Sequence, residues 1–231
     1  MKKFPALAAT VLCGASLGWC AERAPERLQD SARVLHEIMA APDRGIPHDL
    51  LSKAYCVVVV PGLKKAAFVV GGQFGKGYVI CRRSPAVGWG APAAVRVEGG
   101  SFGFQIGGSD TDVVMLVMNE HGMKMLEKSK FTVGGDASVA AGPVGRTTAA
   151  DTDASMNAEI LSWSRARGVF AGIALNGATL RPDRDDNAKL YGKPLETRDI
   201  LMTHLAPPVA ARPLISELDR YSMRKRGASH G

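Results

Sequence analysis

The chain lacks dense clusters of basic and aromatic residues, and it lacks a long apolar run beyond its first twenty residues. Aromatic residues make up only 6% of it and its basic residues are dispersed, which argues against a nucleic-acid-binding surface. The absence of a second apolar run argues against a membrane-spanning helix in the rest of the chain. What remains is a chain of 231 residues, 46% of them apolar, which is enough for the core of an ordinary globular domain.

Motifs for catalysis and metal binding are also missing. The glycine string at residues 71–77 does not match a phosphate-binding loop, and residues 183–194 lack the glycine and glutamate of a calcium loop. The five histidines share no metal-ligand spacing, and no serine lies in a nucleophile elbow. We therefore predict a binding protein without a cofactor or a metal, not an enzyme. A hydrolase whose groups converge from distant positions is the alternative.

The first 21 residues predict an export signal. Lys2 and Lys3 precede an apolar run at residues 4–17, and small residues follow that run. Removing this segment takes two of the 29 basic side chains, which leaves 27 against 22 acidic ones and a formal charge of +5. Cys20, three residues after Leu17, also permits a lipoprotein signal, and a permanent membrane anchor is a further alternative. We expect the periplasm, or the periplasmic face of a membrane, of a Gram-negative bacterium, with an outer-membrane lipoprotein as one form.

Cys56 and Cys81 are the two cysteines that remain after the export segment. In an oxidising compartment they can pair. Both lie in apolar, strand-like runs, where isolated buried cysteines are equally common. The sequence therefore leaves open a disulfide and two separate buried thiols.

Residue patterns predict an α+β fold. Apolar residues recur at helical spacing over residues 26–41, which indicates an amphipathic N-terminal helix. From Tyr55 onward, β-branched runs alternate with glycine, which favours a mainly antiparallel sheet or barrel-like core with a few short peripheral helices. Pro61-Gly62 and the glycine string are predicted as turns, and Asn119 and Asp185 or Asp186 as helix caps. The predicted strands are residues 56–60, 66–70, 77–82, 91–105, 112–118, 159–165 and 169–175.

The domain is predicted to cover residues 26–205. Residues 206–213 contain three prolines and favour a semi-rigid linker, and the tail that follows ends in Arg224, Lys225 and Arg226. Within residues 206–231, the apolar residues Leu214, Ile215, Leu218 and Tyr221 can form one face of a short helix. The tail either contacts a membrane or forms a frayed, solvated terminus.

Cationic side chains lie beside the predicted turns, and they are the candidate binding residues: Lys64, Lys65, Lys76, Arg82 and Arg83. If those turns share one edge of the sheet, the five side chains form a basic patch that suits anionic phospholipid headgroups. The alternative is that each is an ordinary solvated loop residue.

The order of the motifs resembles that of the SYLF domain family over residues 28–205. The resemblance depends on an ordered set of short elements: Ile46-Pro47, residues 65–68, 71–77, 88–93 and 103–107, Thr111-Asp112, residues 142–146 and 162–172, Asn187 and Tyr191-Gly192. It implies binding of phosphoinositides and other anionic membrane lipids and, in some eukaryotic members, of actin filaments. Those members carry a Src-homology-3 or zinc-bearing module beside the domain.

The departures from the family pattern change the expected partners. No further module follows the predicted domain, so we do not expect adaptor behaviour. An exported protein would not meet actin or phosphoinositides, and the resemblance then favours phosphatidylglycerol or cardiolipin as the lipid. The alternative is a protein–protein interaction or structural module of the envelope.

Overall fold

A computed structural model describes residues 23–41, 45–68, 70–84, 87–102, 107–143, 157–166, 169–172, 175–203 and 205–222. The predicted export signal with Cys20, residues 103–106, residues 144–156 and the basic end of the tail lie outside these described residues. Within the described part, no helix combines the length and apolar content that crossing a bilayer requires.

The described residues form an α+β structure, which confirms the predicted class. Its helices are α1 (Ala24–Ala40), α2 (His48–Lys53), α3 (Glu120–Leu126), α4 (Arg184–Tyr191), α5 (Thr197–Met202) and α6 (Arg212–Ser222), with a 3₁₀ turn at Val209–Ala211. Its strands are β1 (Cys56–Phe68), β2 (Val70–Ser84), β3 (Val87–Trp89), β4 (Ala93–Phe102), β5 (Gly107–Val117), β6 (Phe131–Thr132), β7 (Val139–Ala141), β8 (Ile160–Ala166), β9 (Val169–Gly172) and β10 (Thr179–Pro182).

One curled sheet contains the strands of the described ranges, in the order β6-β10-β4-β2-β1-β5-β8-β7. Off this path, β3 pairs with β2, and β9 pairs with β8. The named strands pair antiparallel except for β7 and β8, which run parallel. The central strands β1 and β2 are long, with 13 and 15 residues, and they pair with β5 and β4 along most of their lengths.

A bulge interrupts β1 where we predict its end. The pairing of β1 with β2 changes register between Val59 and Lys64, and Gly62 there adopts a φ of 58°, in the left-handed region that favours glycine. Pro61 donates no ladder hydrogen bond, and the bulge accommodates it inside a central strand. The prediction of a turn at Pro61-Gly62 is therefore wrong, because pairing resumes at Lys64.

The glycine string lies inside β2, so its predicted turn is wrong too. At Gly77, a Cβ atom would overlap the carbonyl oxygen of Val59 and lie 2.8 Å from Cα of Val60. Glycine at this position lets β2 pack against the bulge of β1 at a distance that no other residue allows. The string serves strand packing, which the sequence alone does not distinguish from a turn.

Helices cover both faces of the sheet. On one face, α1 and α6 pack against the side of β2 that carries Tyr78 and Ile80. The helices bury Leu28, Leu35, Leu214 and Leu218 there. On the other face, a second cluster joins the remaining strand residues to α3 and α5 through Leu126 and Ile200. The predicted amphipathic N-terminal helix is confirmed, and its apolar stripe supplies the first of these layers.

The short helix predicted in the tail is present, but it packs against the core of the domain. Residues 212–222 form α6, which packs against α1 and α2, and Leu214 and Leu218 are fully buried. The apolar spacing of the tail thus serves the core. The packed unit extends to at least residue 222, and the basic residues beyond it lie outside the described residues.

Candidate functional site

One face of the sheet carries a row of cations that runs across β1, β2, β4 and β10. Lys76 of β2 lies opposite Arg96 of β4, and Arg96 lies opposite Arg181 of β10. Two residues along β2, and therefore on the same face, Phe74 lies opposite Lys64 of β1. We call these five residues the cationic face.

Lys64 and Phe74 form the most exposed pair on the cationic face. The Lys64 side chain is exposed, and Phe74 leaves 48% of its surface open to solvent. Asp110 of β5 lies opposite Lys64 on the other side and is also exposed. Lys65 points to the opposite face of the sheet, where it is half-buried and lies across from Gln73 and Ser109.

Lys76 belongs to a buried network of charges. Its Nζ lies 2.6 Å from Asp183 Oδ2 and 3.2 Å from Asp186 Oδ2, and Arg27 Nη1 lies 2.7 Å from the same Asp186 oxygen. Burial opposes the charge on Lys76, but hydrogen bonds from its ammonium to Asp183 and Asp186 raise its pKa. This lysine therefore ties β2 to the beginning of α4, where Asp183 caps the helix. The predicted cap at Asp185 or Asp186 lies two to three residues too late.

Arg82 and Arg83 lie at the far end of β2. Arg82 donates hydrogen bonds to the carbonyl oxygens of Ala54 and Leu51, and its guanidinium lies 4.2 Å from the ring centre of Trp89. Arg83 donates to the carbonyl oxygen of Leu205. The structure therefore does not gather the five predicted cations into one patch, because Lys64 and Lys76 share a face and the other three lie elsewhere.

A cationic cleft adjoins Arg96 and Arg181, and sequence reasoning missed it. The cleft has a volume of about 580 Å³, and its lining includes Arg96, Ser129, Lys130, Arg181 and Arg184. These residues come from β4, the loop after α3, β10 and the first turn of α4, so no local sequence pattern joins them.

A second ionic cluster explains the Thr111-Asp112 motif. Arg165 of β8 donates to Asp112 Oδ2 from Nε at 2.8 Å and also pairs with Glu37 of α1. Asp112 accepts a hydrogen bond from the backbone N–H of Gly62 at the bulge. Partial burial raises the pKa of Asp112 despite that hydrogen bond. The cluster fixes the bulge of β1 to its neighbours and serves the fold.

Glycine also surrounds Trp163, which is fully buried. A Cβ atom at Gly142 would overlap the indole ring, and one at Gly172 would overlap the carbonyl oxygen of Gly142. The indole N–H donates to the carbonyl oxygen of Pro143 at 3.0 Å. The glycines of these two motifs therefore make room for one tryptophan.

A disulfide joins Cys56 and Cys81, which lie directly opposite each other on β1 and β2. Both residues are buried, so the bond belongs to the core. Among the described residues, no group of three or more histidine, cysteine, aspartate or glutamate side chains is arranged to hold a metal ion.

Comparisons with known proteins identify a family and several relatives of this chain. A family model described as "Ysc84: Las17-binding protein actin regulator" matches residues 98–221. The LAS seventeen-binding protein 3 of Saccharomyces cerevisiae is 32% identical over 82% of this chain and 41% of its own length. The SH3 domain-containing YSC84-like protein 1 is 32% identical in Xenopus laevis and 30% in Homo sapiens, over 83% of this chain in both, and over 59% and 57% of their lengths. The chain thus spans roughly half the length of these relatives.

Proposed function

Because this chain belongs to the Ysc84 (SYLF) family, we propose that it is an exported, non-enzymatic protein of the bacterial cell envelope that binds anionic phospholipid headgroups. The family description refers to an actin regulator, and the yeast relative is named for binding LAS seventeen. The export signal predicted in the first 21 residues favours a lipid surface over a cytoskeletal partner for this chain.

The exposed pair of Lys64 and Phe74 carries the proposal. A lysine close to an anionic membrane contributes about 1 kcal/mol of attraction, and an adjacent exposed aromatic ring adds apolar contact at the headgroup level. Asp110 also neighbours Lys64, but an ion pair between exposed groups in water contributes about 1 kcal/mol or less. Lys64 is therefore available to a stronger anionic surface.

Sedimentation with vesicles of phosphatidylglycerol at low salt tests this function. Lys64→Glu combined with Phe74→Ser should weaken the binding of the mature protein by tenfold or more, since it replaces an attraction of about 1 kcal/mol with a repulsion and removes the ring. Lys53→Glu is the matched control, because Lys53 is exposed but precedes the opposite end of β1. Salt should weaken wild-type binding through screening. A wild-type protein that ignores these vesicles, or a double variant that binds them unchanged, would contradict the proposal.

A second candidate is a protein-binding module of the envelope. The name of the yeast relative, which refers to a protein partner, and the family description, which refers to actin regulation, favour it. Co-sedimentation with actin filaments and pull-down from envelope extracts test it. Capture of one specific protein, together with no binding to the vesicles, would favour this candidate over the lipid surface.

A further inference from the structure

Two arginines at the cationic cleft face each other across neighbouring strands. Arg96 and Arg181 are direct cross-strand partners, and like charges in that position destabilise a sheet unless something offsets them. Glu98 is shared between them, with its two oxygens 2.9 Å from Arg96 Nε and 3.4 Å from Arg181 Nε. One carboxylate therefore serves two guanidinium groups.

The arginines retain donors for a ligand. A guanidinium carries five N–H donors in a planar fork, so the pair offers far more donors than the oxygens of one carboxylate accept. Nε of Arg96 and Nε of Arg181 are buried and face Glu98, so they are not the nitrogens that a ligand meets. Both side chains are about 40% exposed, at 41% and 39%, so an incoming anion reaches their outer nitrogens.

The rest of the lining adds positive charge. Lys130 and Arg184 are exposed at the cleft, and Arg184 pairs with Glu196 at the surface, where such a pair is weak. Asp183 and Asp185 also line it, but Asp183 is already neutralised by Lys76 at 2.6 Å. Four cationic side chains therefore line the cleft together with the carboxylates Asp183 and Asp185, and Glu98 and Glu196 at its edge offset part of that positive charge.

We propose that this cleft binds a phosphate group, with Arg96 and Arg181 as the principal ligands and Lys130 and Arg184 at its entrance. Guanidinium forks match the oxygens of a phosphate, and a volume of about 580 Å³ accommodates a phosphorylated headgroup with its glycerol or sugar. The phosphate comes from a membrane lipid or from a soluble phosphorylated compound. Only the lipid source depends on the proposed function.

Titration calorimetry with glycerol phosphate and sedimentation with phosphatidylglycerol vesicles separate the two sources. The test variant is Lys130→Gln with Arg181→Gln, which leaves Glu98 paired with Arg96. The control is Lys53→Gln with Arg212→Gln, since both residues are exposed, lie outside the lining and carry the same charge. We expect the test variant to lose about tenfold or more in affinity and the control to stay within about twofold. Urea unfolding of each variant checks that the fold is intact.

The two probes together decide between the cleft and the lipid function. A selective loss of glycerol phosphate binding in the test variant supports the cleft. If the wild-type protein also ignores the vesicles, the same result overturns the lipid function. A selective loss of vesicle binding alone supports a headgroup in the cleft. Equal vesicle binding by both variants, with no glycerol phosphate binding, overturns the cleft and leaves the lipid function standing. No binding of either probe by the wild-type protein overturns both.

Discussion

Asp186→Asn is the change that most directly tests the buried charge network. Asp186 faces Arg27, and both side chains are buried, with 4% and 6% of their surface exposed. Breaking a buried ion pair costs about 3 to 5 kcal/mol, and the amide retains part of the hydrogen bonding. We therefore expect a loss of about 2 to 3 kcal/mol in the free energy of unfolding at pH 7, a large share of the 5 to 15 kcal/mol typical of a domain.

The pH dependence of the free energy of unfolding tests the same prediction in a second way. Burial opposes ionisation of Asp186, but hydrogen bonds from Lys189, Arg27 and Lys76 outweigh it and hold its pKa below the usual value. A carboxylate with a lowered pKa stabilises the fold above about pH 4, its usual pKa in an unfolded chain, and that stabilisation disappears as the pH falls through the folded value. The difference between wild type and Asp186→Asn should therefore shrink when the pH is lowered from 7 to 3.

Urea unfolding followed by tryptophan fluorescence is the assay, because Trp89 and Trp163 are both buried and report the folded core. Asp185→Asn is the matched control, since Asp185 is exposed in the same helical turn and should cost less than about 1 kcal/mol. A loss below about 1 kcal/mol for Asp186→Asn at pH 7, or a difference that does not change at pH 3, would refute the reasoning.

Two further predictions concern the core. Reduction of the Cys56–Cys81 disulfide, or its replacement by two alanines, should lower the free energy of unfolding by about 3.5 kcal/mol. The reason is that the bond closes a loop over 25 residues and so reduces the entropy of the unfolded chain. Equal stability with and without reductant in urea titrations would contradict this prediction. Gly142→Ala should cost about 1 to 3 kcal/mol and alter the near-ultraviolet circular dichroism, because the added methyl group displaces the Trp163 ring. Gly177→Ala is not a suitable control, since its φ of 80° is itself strained; Gly100→Ala, which meets nothing within 4 Å, is suitable.

The sequence predicted what depends on local spacing. The N-terminal helix followed from apolar residues at helical spacing, and its bounds differ from the observed ones by two residues or fewer. The glycine string was predicted as a turn because glycine favours both turns and close strand packing, and only the position of Val59 decides between them. The prolines after residue 205 suggested a linker, although the apolar residues beyond them pack on α1. Local patterns carry no information on which distant strand or helix a residue packs against.

The same limit applies to the cations, and it decides how their variants should be interpreted. Lys64 and Lys76 look alike in the sequence, yet Lys76 meets two carboxylates more than 100 positions away, and Lys64 lies beside an exposed ring. A cation whose charge is already offset by buried partners gains little from a lipid headgroup, because it must first give up those partners. Loss of vesicle binding after substitution of Lys76 would therefore reflect a displaced α4 as readily as a lost contact.

Arg96 and Arg181 differ from Lys76 in this respect, since they share a single carboxylate and keep donors at an open cleft. The availability of a cation depends on its distant partners, and this is why the cleft, not the predicted lysine at position 76, is the stronger candidate for a phosphate.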